Sequence, residues 1–530
     1  MGANYLDSAG LGQGIAVPAH ARAASSKAIQ PEPAVFVSCS VHRLPSQLLV
    51  AELFFDVPLD YADPDGEKIR LFARAAFRHE KPIVPLYPFN EEKEASRGSS
   101  GDGSKSLIGG SVSGISPQAL RDLFSKPWMA YCEGGPGMGN REPQDYPFLR
   151  QLLVRGYQML FLDYRGTGMS SPISAATLKQ RGSPQAQANY LALFRADNIV
   201  RDLEAVRKWL TVDLVPHKRK WSIMGQSFGG FVSLTYLSFY SESLRESFIT
   251  GGMAPVNMTP DVVYRATYTK AKKRNEAYFK KYPEDVQTLR QINTFLNNQP
   301  TGGEVPLPSG GVLTMHRVMT FGYMFGFHSG LDSTHSLLLR MRTDIERFGI
   351  LTRPTLVAIE QFFPLDVAPM YGLVHEAIYC YSKGVASSWA AMRVGREFPE
   401  FSWVDHQTTA KIAPEKVGTE FLFSGEMIYP FMFDTFPELM EIKEAAHLLA
   451  ERTEWDDLYD EAQLKQNTVP VYAATYIDDL YVDYGLAKET ASKIGNVRMY
   501  ETNGLYHNAA RARSEEVMTQ LFRLRDDPID

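Results

Sequence analysis

The sequence predicts an α/β fold in which a mostly parallel sheet is covered by helices on both faces and interrupted by an inserted helical cap. Three observations predict it. Short apolar runs at 128–132, 159–163 and 247–254 alternate with helix-type segments, and glycine turns follow at 133–137 and 164–168. That is the pattern of parallel strands joined by crossover helices. The segment Gly225-Gln226-Ser227-Phe228-Gly229-Gly230 lies between a short buried run at 221–224 and an apolar stretch at 231–240 that continues as a helix. From 256 to 466 strand signals thin out in favour of long aromatic and Met-rich segments, too much chain for a loop.

Taken in order, residues 1–45 are rich in Ala, Gly, Ser and Pro without periodicity and read as a loose leader. An antiparallel pair, 53–61 and 69–77 around the turn cluster Ala62-Asp63-Pro64-Asp65-Gly66, is expected to open the sheet. Residues 90–116 are charged and then rich in Gly and Ser. Such a composition buries too little apolar surface to offset its ordering and reads as a flexible insertion. Within it, 98–106 resembles a phosphate-binding loop at a glance, but no glycine directly precedes Lys105 and no strand leads in. Residues 198–210 read as a helix, the sheet resumes at 469–476 and 497–500, and a helix at 514–524 closes the chain. The expected organisation is therefore the leader, a first core part at 46–255, a helical cap at 256–466 and a second core part at 467–530.

The chain has 530 residues, 44% hydrophobic and 12% aromatic, ample for a large core. A net charge of -6 carries no basic excess, which argues against nucleic acid or an anionic membrane as partner and fits a neutral or cationic small substrate. No apolar run is long enough to suggest a membrane span. The first residues carry Asp7 and lack an apolar stretch behind a basic start, a poor secretory signal. The Ala, Ser and Arg content of 14–27 gives only a weak transit-peptide reading. Cys39, Cys132 and Cys380 are too few and too scattered for a disulfide framework or zinc site, so the cytoplasm is the expected compartment. Nothing in the sequence fixes an oligomeric state.

A serine framed by glycines between a strand and a helix is how a tight elbow presents a nucleophile, here Ser227. The bland reading is a glycine turn that merely starts a helix. A hydroxyl needs a base within reach, and the base needs an orienting group. In folds built on such an elbow, acid and histidine follow the serine on loops after later strands. The run at 469–476 ends in Ile477-Asp478-Asp479, and of the eleven histidines only His507 lies beyond those aspartates. We therefore assign Ser227 as nucleophile, His507 as base and Asp479 as orienting carboxylate. Asp478 is the alternative, because strand register alone does not separate neighbours. A developing oxyanion needs preorganised amides, and Phe228 after the serine and Gly135 in the turn Glu133-Gly134-Gly135-Pro136-Gly137 are the candidates. No metal or other cofactor is expected: His375-Glu376 lacks the second histidine of a His-Glu-x-x-His site.

Three segments together, Glu133 to Gly137, Asp163-Tyr164-Arg165-Gly166-Thr167-Gly168 and Gly225 to Gly230, resemble the proline iminopeptidase family of α/β-hydrolases. The resemblance spans roughly 53–524 apart from the insertion, and looks closest to fungal and bacterial members with a large cap. Many members begin the glycine turn with His, where this chain has Glu133. The resemblance implies removal of an N-terminal residue, preferably proline, from short peptides or small amides with a free N-terminus, through an acyl-enzyme. It also implies cap glutamates that hold the free amine, and two positions match: Glu376 in Val374-His375-Glu376-Ala377 and Glu426 in Gly425-Glu426-Met427-Ile428-Tyr429. The residues themselves agree in kind, since Glu426 is the only charged residue from 421 to 433 and an acid among apolar side chains needs a partner or a shifted pKa. The competing reading is an internal ion pair with a Lys or Arg. On the same scaffold an esterase or thioesterase is the first rival function, and a non-catalytic hydrolase-like binding protein the second.

Overall fold

In a computed structural model, residues 29–78, 111–114, 117–405 and 412–527 are described. A ten-stranded sheet forms the centre. Its strands are β1 (Val35–Leu44), β2 (Leu48–Pro58), β3 (Lys68–Arg78), β4 (Ser111–Ser113), β5 (Trp128–Cys132), β6 (Gln158–Leu162), β7 (Trp221–Gln226), β8 (Leu244–Thr250), β11 (Val471–Tyr476) and β12 (Val497–Thr502). A separate two-stranded ladder, β9 (Val305–Pro306) with β10 (Val312–Leu313), lies between β8 and β11 in the chain. The sheet order is β12-β11-β8-β7-β5-β6-β3-β2-β1-β4. Every pairing from β12 to β6 is parallel, and β3, β2 and β1 continue it antiparallel.

Every residue of β5, β6, β7 and β11 is buried, as expected of parallel strands covered on both faces. Strand periodicity sends alternate side chains to opposite sides: Trp128, Ala130 and Cys132 join one core, Met129 and Tyr131 the other. Helices Ala196–Leu210 and Phe228–Phe239 cover the first side, and Leu149–Val154 and Ser514–Asp526 the second. Between β8 and β11 the chain runs through helices from Pro260–Lys281 to Glu461–Lys465, whose apolar side chains are continuous with the first core. No helix among the described residues is long and apolar enough to cross a membrane.

Four expectations need correction. The loose leader ends before residue 45, because Val35–Leu44 is a sheet strand paired along β2. Its serines hid it, yet Phe36, Cys39 and Val41 are buried, and this strand, not the 53–61 run, opens the sheet. Within the expected insertion, Ser111–Ser113 pairs in parallel with β1, while 90–110 and 115–116 lie outside the described residues, as do 1–28 of the leader. The run at 247–254 is strand only as far as Thr250. There the chain must turn: a Cβ on Gly252 would stand 2.4 Å from the Ser227 carbonyl oxygen.

Candidate active site

β7 ends at Gln226 and helix Phe228–Phe239 starts at once, leaving Ser227 to make the whole turn at φ 56° and ψ -124°. Such a backbone costs roughly 1–3 kcal/mol for a non-glycine residue. It is held by the Ser227 amide donating to Thr250 (3.0 Å) and the Gly230 amide donating to Ser227 (2.7 Å). The flanking glycines are required by close backbone crossing. A Cβ on Gly229 would fall 1.9 Å from the Cys132 carbonyl oxygen, and one on Gly230 2.2 Å from that of Gly252.

His507 reaches the elbow from the turn after β12. Its Nε2 lies 2.8 Å from Ser227 Oγ, and its Nδ1 lies 2.9 and 3.1 Å from the two Asp479 oxygens. A carboxylate only accepts, so the imidazole carries its proton on Nδ1 and turns the Nε2 lone pair to the serine hydroxyl. Asp479 Oδ1 also accepts from the amides of Tyr481 (2.8 Å) and Val482 (3.1 Å), fixing the carboxylate beyond β11. Asp479 and not Asp478 meets the imidazole. The Tyr481 ring stands edge-on to His507 at 4.5 Å, and the His507 amide donates to the Gly326 carbonyl (3.1 Å) in the helical stretch. All three side chains are buried. Burial works against an imidazolium here, but the Asp479 carboxylate, through charge and hydrogen bond, and then Glu426 outweigh it and raise the His507 pKa above 6.5.

Phe228 is the first residue of its helix, so its amide has no acceptor within the helix. A Cβ on Gly134 would lie 3.1 Å from Ser227 Cβ, which places the glycine turn against the elbow, and Gly135 follows at φ 131°. Glu133 is buried behind this turn. It accepts from the Gly134 amide (2.8 Å) and the Tyr146 hydroxyl (2.7 Å) and pairs with Arg511. In the neighbouring turn, Arg165 binds Asp202 through two 2.7 Å hydrogen bonds and the carbonyls of Leu59 and Leu193. Its part is to hold the turn.

The two cap glutamates flank His375. Glu426 Oε1 accepts from the Tyr371 hydroxyl, and Oε2 lies 3.7 Å from His375 Nε2. His375 Nδ1 in turn meets the Tyr264 hydroxyl at 3.3 Å. Burial alone would raise the Glu426 pKa, but the His375 hydrogen bond and charge, the charge of His507 and the Tyr371 hydroxyl lower it below 4.5, so the group is a carboxylate. Glu376 accepts from the amides of Ala391 (2.9 Å) and Ala390 (3.2 Å) at the start of helix Ala390–Gly395. Burial raises its pKa against the pull of those amides, Ser387 and His375. Among the described residues no Lys or Arg is bound to either glutamate: the partners are the Tyr371 and Ser387 hydroxyls, an imidazole and a helix start. Nor does any group of three His, Cys, Asp or Glu side chains among the described residues stand together to hold a metal ion.

Sequence reasoning missed Tyr371, His375 and Arg511. Nothing local marks Tyr371, which lies 55 residues from Glu426. The sequence marks His375 only as half of an incomplete metal motif. Arg511 had a signal, an i, i+4 relation to His507 opposite an acid that departs from the usual turn.

Sheet order, elbow serine and covering helices make this an α/β-hydrolase, and the model of the α/β-hydrolase fold family matches residues 127–298. Proline iminopeptidase aneH of Aspergillus aculeatus is 39% identical over 498 residues, covering 94% of this chain and 98% of that protein. The proline iminopeptidase of Aeromonas sobria is 36% identical over 476 residues, covering 89% and 96%. The crystal structure of proline iminopeptidase from Mycobacterium smegmatis is 12% identical, with a TM-score of 0.36 over 89% of this chain and 97% of that one. The chain belongs to the proline iminopeptidase family.

Proposed function

We propose that this protein is a serine aminopeptidase that releases an N-terminal residue, preferably proline, from short peptides or small amides. Ser227 Oγ attacks the scissile carbonyl while His507 Nε2 takes its proton, and Asp479 stabilises the imidazolium. The amides of Phe228 and Gly135 receive the oxyanion. Collapse breaks the C–N bond, and His507 returns the proton to the leaving amine. Water, deprotonated by His507, then splits the acyl-enzyme and frees Ser227.

The observation that carries the amine preference is Glu426. It is an ionised carboxylate whose charge acts on His507, yet its direct partners are a tyrosine hydroxyl and an imidazole rather than a Lys or Arg. That carboxylate is held by groups without a permanent positive charge, and the substrate's α-ammonium would supply a fixed cation beside it. Glu376, which accepts from the Ala390 and Ala391 amides and is also bonded by Ser387, assists from beside His375. The three cysteines are unpaired and buried, which fits a cytoplasmic enzyme.

The test compares proline 4-nitroanilide, its N-blocked form and a short-chain ester with wild type and Glu426→Gln. We expect the variant to lose most anilide cleavage and keep the ester. Equal loss on both substrates would reject amine recognition and leave an esterase or thioesterase reading. Absence of fluorophosphonate labelling at Ser227 would reject catalysis altogether.

A further inference from the structure

We propose that the Glu133–Arg511 pair positions the reaction's two halves: it ties the glycine turn that offers the oxyanion amide to the loop that carries the general base. The inference rests on the serine-hydrolase reading. Glu133 is the first residue after β5, and Arg511 lies four residues beyond His507 in the short helix Ala509–Ala512. The two come together across the C-terminal ends of the strands, 378 residues apart in sequence. Glu133 is nearly fully buried, and each bond it makes has a direction. Oε1 takes both the Gly134 amide and Arg511, and Oε2 takes the Tyr146 hydroxyl. Tyr146 in turn accepts from the Arg141 amide (3.0 Å) and lies 3.0 Å from the Asn140 side-chain oxygen, so the far end of the turn is bound into the same cluster. The Glu133 carbonyl accepts from Tyr164 at 3.3 Å. A turn held at both ends has little freedom to move its amides, and a misplacement of about 1 Å in a catalytic geometry costs on the order of 100-fold in rate.

The pair also places a cation near the base. Asp479 and Glu426 act on His507 as anions and Arg511 opposes them. Arg511 itself faces Tyr131, Glu133 and Tyr146. Charge and fork geometry are therefore separable. Arg511→Lys keeps the cation but loses the planar guanidinium fork, whereas Arg511→Gln removes both.

The experiment is a pH profile of kcat/KM, with KM and kcat at the optimum, for wild type, Arg511→Lys, Arg511→Gln and the double variant Glu133→Gln/Arg511→Gln. The double variant leaves no buried charge of the pair behind and stands in if Arg511→Gln does not fold. We expect kcat to fall roughly 10- to 100-fold in every variant, with KM nearly unchanged and anilide and ester affected alike, because the pair acts on the oxyanion turn and not on the amine. The acid limb should stay put in Arg511→Lys and move to higher pH in Arg511→Gln. A folded double variant with wild-type kcat would overturn the proposal. An inactive wild type, unlabelled by fluorophosphonate, would instead sink the hydrolase reading beneath it.

Discussion

His507 feels two anions, Asp479 in contact and Glu426 at a distance, and both hold its proton more tightly. As the proposed catalytic base it must be neutral, so activity should be lost as pH falls through this raised pKa. The acid limb of kcat/KM should therefore lie above 6.5, the ordinary histidine value. Glu426→Gln removes one of the two anions and should move that limb to lower pH, measured on the ester that the variant still cleaves. A limb that does not move would mean that Glu426 is too well screened to be the substrate's counter-charge. Glu376 offers a second separation of roles. Its bonds to the Ala390 and Ala391 amides cap a helix start. Glu376→Ala should cost about 1–2 kcal/mol in thermal or urea unfolding, whereas Glu376→Gln keeps an acceptor and should lose little stability. If Glu376 also holds the amine, the glutamine variant must raise KM for proline anilide and leave the ester untouched. Unchanged KM would reduce Glu376 to a helix cap.

At the scale of the element, the elbow and the neighbouring turn behave differently under substitution. Gly229 passes directly over β5, where a Cβ would stand 1.9 Å from the Cys132 carbonyl oxygen. Backbone cannot move aside as a side chain does, so Gly229→Ala should fail to accumulate as folded protein. A soluble variant with a near-wild-type melting curve would show that the two backbones can separate at little cost. Arg165 and Asp202 form a buried pair, and removing one partner of such a pair costs about 3–5 kcal/mol. Asp202→Asn should lower the unfolding midpoint accordingly. It should leave kcat of the folded enzyme within about twofold of wild type, since the loss comes from stranding a buried charge away from the reacting atoms. The same contrast explains what the sequence made legible. Glycine spacing and short apolar runs are local, so β5, β6 and the elbow could be read directly, with Ser227 and His507 following from their order after strands and the acid narrowed to Asp479 or its neighbour Asp478. β1 was illegible because its serines mask an alternation that only β2 makes sense of. The surroundings of Glu426 were illegible because Tyr371 and His375 come from another segment, and no spacing rule links them to it.

For the whole molecule, the helical stretch is structurally part of the site. The Gly326 carbonyl holds the His507 amide, and Gly137 of the glycine turn after β5 runs against the Tyr371 backbone, where a Cβ would meet the amide nitrogen at 2.6 Å. Arg195, just before helix Ala196–Leu210, donates to the carbonyls of Cys380 and Asp456 and stacks on Trp455 at 4.3 Å. Core and helical layer are thus bonded at several places, and Ser227 is itself only 8% exposed. On the proposed reading a substrate threads its free end beneath that layer, with the remaining chain leaving through what space the helices allow. Every added residue risks a steric cost with no new contact to the proposed amine site. Peptides beginning with proline should therefore be cleaved with kcat/KM that declines with length. From dipeptides to chains of about twenty residues we expect a loss of at least roughly tenfold, equivalent to about 1.4 kcal/mol in the barrier, and a folded protein with N-terminal proline should resist. A length series followed by release of free proline measures this. Equal rates across the series would mean that the helical layer opens far enough to admit any chain, and that selectivity lies wholly in the carboxylates around His375.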